Sequence, residues 1–100
     1  MLIHLLFERA ETTDGTQCFE AQASTQEDRH AAVMADVQQV MDWLHARFPG
    51  QQGAVEEGAT WDADCLVQHE AAGWVTVTLT VTAAAHAADA FFARFGDPTD

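Results

Sequence analysis

The run Val75-Thr-Val-Thr-Leu-Thr-Val-Thr82 constrains this chain more than any other feature. Apolar and threonine side chains alternate without a break. A strand sends successive side chains to opposite faces, so the run has one dry row and one wet row. A helix would scatter the valines around its axis, and β-branched residues favour the pleated state.

A second alternating stretch precedes it, with Trp61, Ala63, Cys65 and Val67 in one row. A loop of Ala71-Ala72-Gly73 pairs Val67 with Val77 and Cys65 with Leu79. Gly73 then takes the last loop position, where a positive φ is required. Val75, Val77, Leu79 and Val81 complete the inner row, and Thr76 to Thr82 line the other face.

The amino-terminal segment repeats this logic. A two-residue turn at Asp14-Gly15 would set Phe7 opposite Gln22 and mix the faces. A loop of Thr13-Asp14-Gly15 sets Phe7 opposite Ala21 and Leu5 opposite Ala23. Ile3, Leu5, Phe7, Phe19, Ala21 and Ala23 then share one face, which selects a type I turn plus bulge with Gly15 left-handed.

Each hairpin leads into a helix. Ser24 with Glu27, or Thr25 with Asp28, reads as a capping box. Val33, Val37, Val40, Met41, Leu44 and Phe48 follow at helical spacing, and Pro49-Gly50 ends the segment. The second helix carries Ala84, Ala87, Ala88, Phe91, Phe92 and Phe95 as its stripe, with Gly96 and Pro98 beyond. Residues 50–60 read as a polar, flexible connector.

The expected organisation is one domain over residues 1–100. It comprises a hairpin near 2–23, a helix near 25–48, the connector at 50–60, a hairpin near 61–82 and a helix near 84–95. A hairpin with one helix is too little to bury its own apolar face, so both halves must share a core. The fold class is α+β: ββα-ββα, a four-stranded, mainly antiparallel sheet with two helices on one face. The very apolar inner row of the last strand suits a central place, giving order 1-2-4-3. That order corresponds to a permuted ferredoxin-like two-layer sandwich.

Charge bounds the partners. Sixteen Asp and Glu face four arginines and no lysine, a formal charge of −12. Arg9, Arg29, Arg47 and Arg94 are dispersed, so no basic patch exists to displace counterions from phosphate. No nucleic acid and no membrane partner is expected. No apolar stretch approaches the roughly 20 residues of a membrane span. Leu2–Phe7 lacks the flanks of a signal peptide, which places the protein in the cytoplasm. Cys18 and Cys65 make no zinc spacing and read as reduced thiols.

The face left open by the helices holds the candidate site. It carries His4, Leu6, Glu8, Cys18, Glu20 and Gln22 from the first hairpin. Asp62, Asp64, Leu66, Gln68, Glu70 and the threonine ladder come from the second, with Trp74 at its tip. An antiparallel sheet commonly solvates such a face. The functional reading is a docking or dimer surface with Leu6, Leu66 and Trp74 as apolar contacts and Glu8, Glu20 and Asp64 as charges.

Glu8 and Glu20 fall directly opposite one another, an arrangement that suits splayed carboxylates, acid–base work or a cation. His4, roughly 13 Å from Glu8 at the strand rise, is too distant to share one small ion. Asp62 and Asp64, with Glu56 and Glu57 upstream, lack the calcium-loop pattern. The five histidines form no HxH or HxxxH. His69 falls at the edge of the core, and His30, His45 and His86 fall on solvated helix faces. Cys65 falls in the core, Cys18 on the open face, and Arg47 one turn from Trp43 reads as stacked over its ring.

No catalytic residue, cofactor or metal ligand is signalled. The leading expectation is a non-enzymatic protein-interaction or oligomerisation module, binding a protein partner or itself as a homodimer. A small-ligand or metal-binding protein using the open sheet face is the rival.

Overall fold

The computed structural model describes residues 5–11 and 16–96. Strands β1 (Glu8–Glu11) and β2 (Gln17–Gln26) lead into α1 (Glu27–Arg47). Strands β3 (Trp61–His69) and β4 (Trp74–Ala83) lead into α2 (Ala85–Phe91), which continues as a π-helical turn over Phe92–Gly96. All strand pairs are antiparallel, in the order β1-β2-β4-β3. This is the expected α+β arrangement, one four-stranded sheet with two helices.

Both hairpin registers follow the alternation. Glu8 pairs with Glu20 and Glu11 with Gln17, the register that a loop at residues 13–15 requires. The turn itself, with Asp14 and Gly15, lies outside the described residues, as do Ile3 and His4. In the second hairpin Val67 pairs with Val77 and Cys65 with Leu79. Gly73 has φ +79°, as expected, and Ala72 adopts φ 63°, ψ 29°. A left-handed alanine brings its Cβ close to backbone, so this turn carries local strain.

The core lies between the inner sheet face and the helices. Leu5, Phe7, Phe19, Ala21, Val77, Leu79 and Val81 meet Val33, Val37, Val40 and Leu44 of α1 and Ala87, Ala88 and Phe91 of α2. Phe91 packs edge-on against Phe7 at 5.1 Å and tilted against Phe19 at 4.7 Å. Trp61 is fully buried and donates its indole N–H to the Phe48 carbonyl at 3.3 Å, tying the end of α1 to the start of β3.

Several local expectations give way to tertiary contacts. The capping box does not form: Gln26 is the N-cap, with extended dihedrals and no side-chain cap bond. The cause is β4, whose pairing with β2 runs through Ser24, Thr25 and Gln26 and draws the intended caps into the ladder. The connector is not a free polar segment. Val55–Glu57 form a 3₁₀ turn, Val55 is buried, and Gln52 bridges in parallel to Trp61. The second helix ends its α-form at Phe91 rather than Phe95, and the wider π turn brings Phe95 within 5.4 Å of Trp43. Arg47 lies over Phe48 at 5.5 Å rather than over Trp43, whose ring packs instead with Phe48, Phe91 and Phe95.

Asp36 is a buried carboxylate that the apolar stripe conceals. It is 3% exposed, and its Oδ2 accepts the Leu5 backbone N–H at 3.1 Å. Leu5–Phe7 precede the β1 ladder, and this bond holds their start against α1. Asp36→Ala leaves a buried N–H without that acceptor and should cost about 1–3 kcal/mol in chemical denaturation. Asp36→Asn keeps an acceptor oxygen and should lose less. Ala72→Gly removes a left-handed penalty of about 1–2 kcal/mol against a smaller loss to unfolded-chain entropy, and should raise stability by about 0.5–1 kcal/mol. A loss of stability on that change would show that the turn is not strained.

Candidate interaction surface

The open sheet face takes its geometry from the strand order. Glu8, Glu20, Thr80 and Asp64 align in one transverse row across all four strands. Neighbouring strands stand about 4.8 Å apart, so Glu8 and Glu20 are adjacent and Asp64 lies roughly 10 Å from Glu20 beyond Thr80. Asp62 falls in the next row beside Thr82, and Glu70 receives the Thr76 hydroxyl in a hydrogen bond. All three carboxylates of the row, Glu8, Glu20 and Asp64, are exposed.

No arginine belongs to the outer rows of the described strands, and the one nearest that face, Arg29, lines the groove at its Trp74 end. Arg9 projects to the helical side over the Phe92 ring at 4.5 Å. Arg94 lies over Phe95 at 4.8 Å, and Arg29 and Arg47 belong to α1. Three of the cations therefore lie on the helical side, Arg29 lies at the far end of β4 from the acid row, and no arginine stands beside Glu8, Glu20 and Asp64 to neutralise their field locally.

Among the described residues the exposed large apolar side chains are Leu6 at 58%, Leu66 at 52% and Trp74 at 42%. They do not form one patch. Leu66 lies on β3 beside Thr78, which pairs with Gln22 of β2. Leu6, two residues ahead of Glu8, lies on the β1 side, roughly 14 Å away by strand spacing. Trp74 stands four residues along β4 from Thr78, roughly 13 Å at the strand rise. Between them the face is polar and hydrogen-bonded. Gln22 Nε2 donates to Thr78 Oγ1 at 3.1 Å, and the Thr76 and Ser24 hydroxyls share a bond of 3.0 Å.

Trp74 is held in place. With its amide set to satisfy both partners, Gln26 accepts the Trp74 indole N–H at 2.8 Å and donates to the Ala72 carbonyl at 3.3 Å. The ring forms one wall of a shallow, solvent-open groove of about 310 Å³, with Ser24, Thr25, Gln26, Asp28 and Arg29. That volume is at the lower end for small-molecule sites, and the groove does not enclose a guest.

Of the two thiols, Cys65 departs from the core place expected of it, and Cys18 keeps its place on the open face. Cys65 shares its row with Trp61 and Val67 yet is exposed, because β3 is an edge strand and the helices leave its inner row partly open. Cys18, on the open face, is only half-exposed beside Thr82 of the central strand. Partial loss of hydration against the sheet, and then the Asp64 carboxylate, push the Cys65 thiol pKa up.

The histidines scatter, with one exception. His30 is half-buried rather than solvated, its Nδ1 is buried without a hydrogen-bond partner, and its ring lies 6.4 Å from that of His69. His69 is exposed rather than at the core edge. Among the described residues no group of three or more His, Cys, Asp or Glu is placed to hold a metal ion. Among them, too, no helix is long and apolar enough to cross a membrane.

Compared with protein-family models, curated proteins and solved structures, this chain matches none.

Asp64→Asn removes the charge that disfavours the Cys65 thiolate. In a Cys18→Ser background, the pH midpoint for modification by a chromogenic disulfide should shift downward in the Asp64→Asn variant. Identical pH–rate curves would show that Asp64 does not act on the thiol.

Proposed function

We propose that this protein is a non-enzymatic interaction module that docks a positively charged protein surface on its outer sheet face. The acid row Glu8–Glu20–Asp64, with no arginine among the outer strand rows beside it, carries this reading. Like charges directly opposite one another destabilise a sheet, so Glu8 against Glu20 is costly in the free protein. A basic partner relieves that repulsion and steers itself to the row. Leu6, Leu66 and Trp74 stand around the row as separate apolar contacts for the partner. A second copy of the same acidic face would add repulsion, so the partner for this face is a different protein.

The test is affinity capture from the native host, identification of the bound protein, and titration of the purified pair. Binding should weaken as salt rises. The variant Glu8→Gln/Glu20→Gln/Asp64→Asn should lose roughly tenfold in affinity, from exposed charge contacts worth about 0.2–1 kcal/mol each. A control variant, Glu27→Gln/Asp42→Asn/Asp89→Asn, changes the net charge equally on exposed helical positions and should bind as wild type. Salt-insensitive binding, or equal losses in the two variants, would overturn the assignment.

A further inference from the structure

The free edge of β3 has a pattern that suits a second copy of this chain. Strand β3 is a terminal strand of the sheet and runs for nine residues, Trp61–His69. In an antiparallel ladder, alternate residues direct their N–H and C=O to the neighbour and the rest direct theirs outward. Glu70 N–H bonds to the Trp74 carbonyl, so even-numbered residues face β4. Trp61 confirms the phase: its N–H and C=O point away from β4, to the Gln51 carbonyl and the Gly53 N–H. Ala63, Cys65 and Val67 therefore present their backbone groups outward.

Only the start of this edge is covered among the described residues. Gln51–Gly53 occupy the side of Trp61, and the Asp62 carboxylate takes the Ala63 N–H at 2.9 Å. Beyond that point no other described backbone group pairs with the edge. Long exposed edges are ordinarily blocked by charged side chains, lysine above all, by proline or by a bulge, and the charges on this edge are Asp62 and Asp64, both on the outer row. The sequence Ala63-Asp-Cys-Leu-Val67 has no lysine or proline, and its ladder to β4 has no bulge. On the helical side, Ala63 and Val67 are half-buried and Cys65 is exposed, an apolar row without full cover.

We propose that two copies of this chain pair their β3 strands antiparallel about a two-fold axis at Cys65, making one continuous sheet. The acids select this register. With the axis at Cys65, Asp64 faces Leu66 of the other copy and Ala63 faces Val67, and the ladder stops there because Gln51–Gly53 already fill the place beside the start of β3. An axis at Ala63 sets Asp62 against Asp64, and an axis at Asp64 sets it against itself. An axis at Leu66 sets Asp62 against Glu70, and one at Val67 sets Asp64 against Glu70. Each of these places like charges opposite one another, which disfavours the pairing. The Cys65 register also lets Cys65 exchange both backbone bonds with its counterpart and brings the Val67 N–H to the Ala63 carbonyl, while the Ala63 N–H stays with the Asp62 carboxylate, and it closes as an isologous contact.

A contact of one short strand is small, so association is reversible and concentration-dependent. Each copy carries a formal charge of −12, so screening by salt should strengthen the dimer. That sign is opposite to the one expected for a basic partner on the outer face. The two readings therefore fail separately.

Sedimentation equilibrium and native mass spectrometry of the purified protein, from micromolar to near-millimolar, test the proposal. The expected result is a monomer–dimer equilibrium that shifts to dimer with salt. Cys65→Glu places two acids on the axis at an exposed site and should weaken dimerisation several-fold, with circular dichroism unchanged. Facing residues in a hydrogen-bonded pair have Cα atoms about 5.5 Å apart, within disulfide range. Diamide should therefore trap a covalent dimer in Cys18→Ser at concentrations where dimer is populated, and none in Cys18→Ser/Cys65→Ser. A monomer at every concentration, a dimer indifferent to Cys65→Glu, or no Cys65 cross-link in a populated dimer would overturn the proposal.

Discussion

The pairing of β2 with β4 is the contact on which the rest of the structure depends. It runs for ten residue pairs, from Gln17 with Ala83 to Gln26 with Trp74, and joins segments that are distant in the chain. Its inner side sets Phe19 against Val81, Ala21 against Leu79 and Ala23 against Val77. A slip by one residue would turn that row to water. Closing so long a loop costs chain entropy before any contact rewards it. The apolar row of both central strands and their full-length ladder offset that cost. The same length explains the uncapped start of α1, since Ser24 and Thr25 serve the ladder instead.

Placing β2 and β4 at the centre leaves β1 and β3 as edges, and the two edges are stabilised differently. Beside β1, Leu5 is drawn to α1 by the buried Asp36 carboxylate, and Phe7 enters the aromatic cluster with Phe91 and Phe95. β3 is fastened at its beginning, where Trp61 is buried under the connector and the end of α1. Farther along, the helical layer no longer covers it, and Cys65 reaches solvent. One strand thus changes from core to surface along its length.

The electrostatic layout follows from the same layering. Three of the four arginines lie over phenylalanine rings on the helical side, where cation–π attraction and stem packing hold them. The outer face keeps its carboxylates without such neighbours. A sheet with one acidic face and one open edge offers two distinct contacts, opposite in their response to salt. The edge contact extends the sheet sideways and leaves the acid rows of both copies uncovered, so the two are geometrically compatible.

The alternation of residues and the short loops determined the hairpin registers, because side-chain period and turn length are local quantities. The opposition of Glu8 to Glu20 was legible for that reason, and so was the inner row from Val75 to Val81. The exposed Leu6, Leu66 and Trp74 followed from parity alone. Asp36 was hidden because its acid breaks the apolar stripe in composition, although its spacing from Val33 and Val40 places it on the buried side. Cys65 was misplaced because parity tells which face a residue takes and not how far the opposing layer extends over it. The alignment of Asp64 with Glu8 and Glu20, the separation of the three apolar residues, the capture of Ser24 by the ladder and the open edge of β3 were decided by the tertiary structure. Each depends on which strands become neighbours and where the helices stop, and those are contacts between residues that no local period relates.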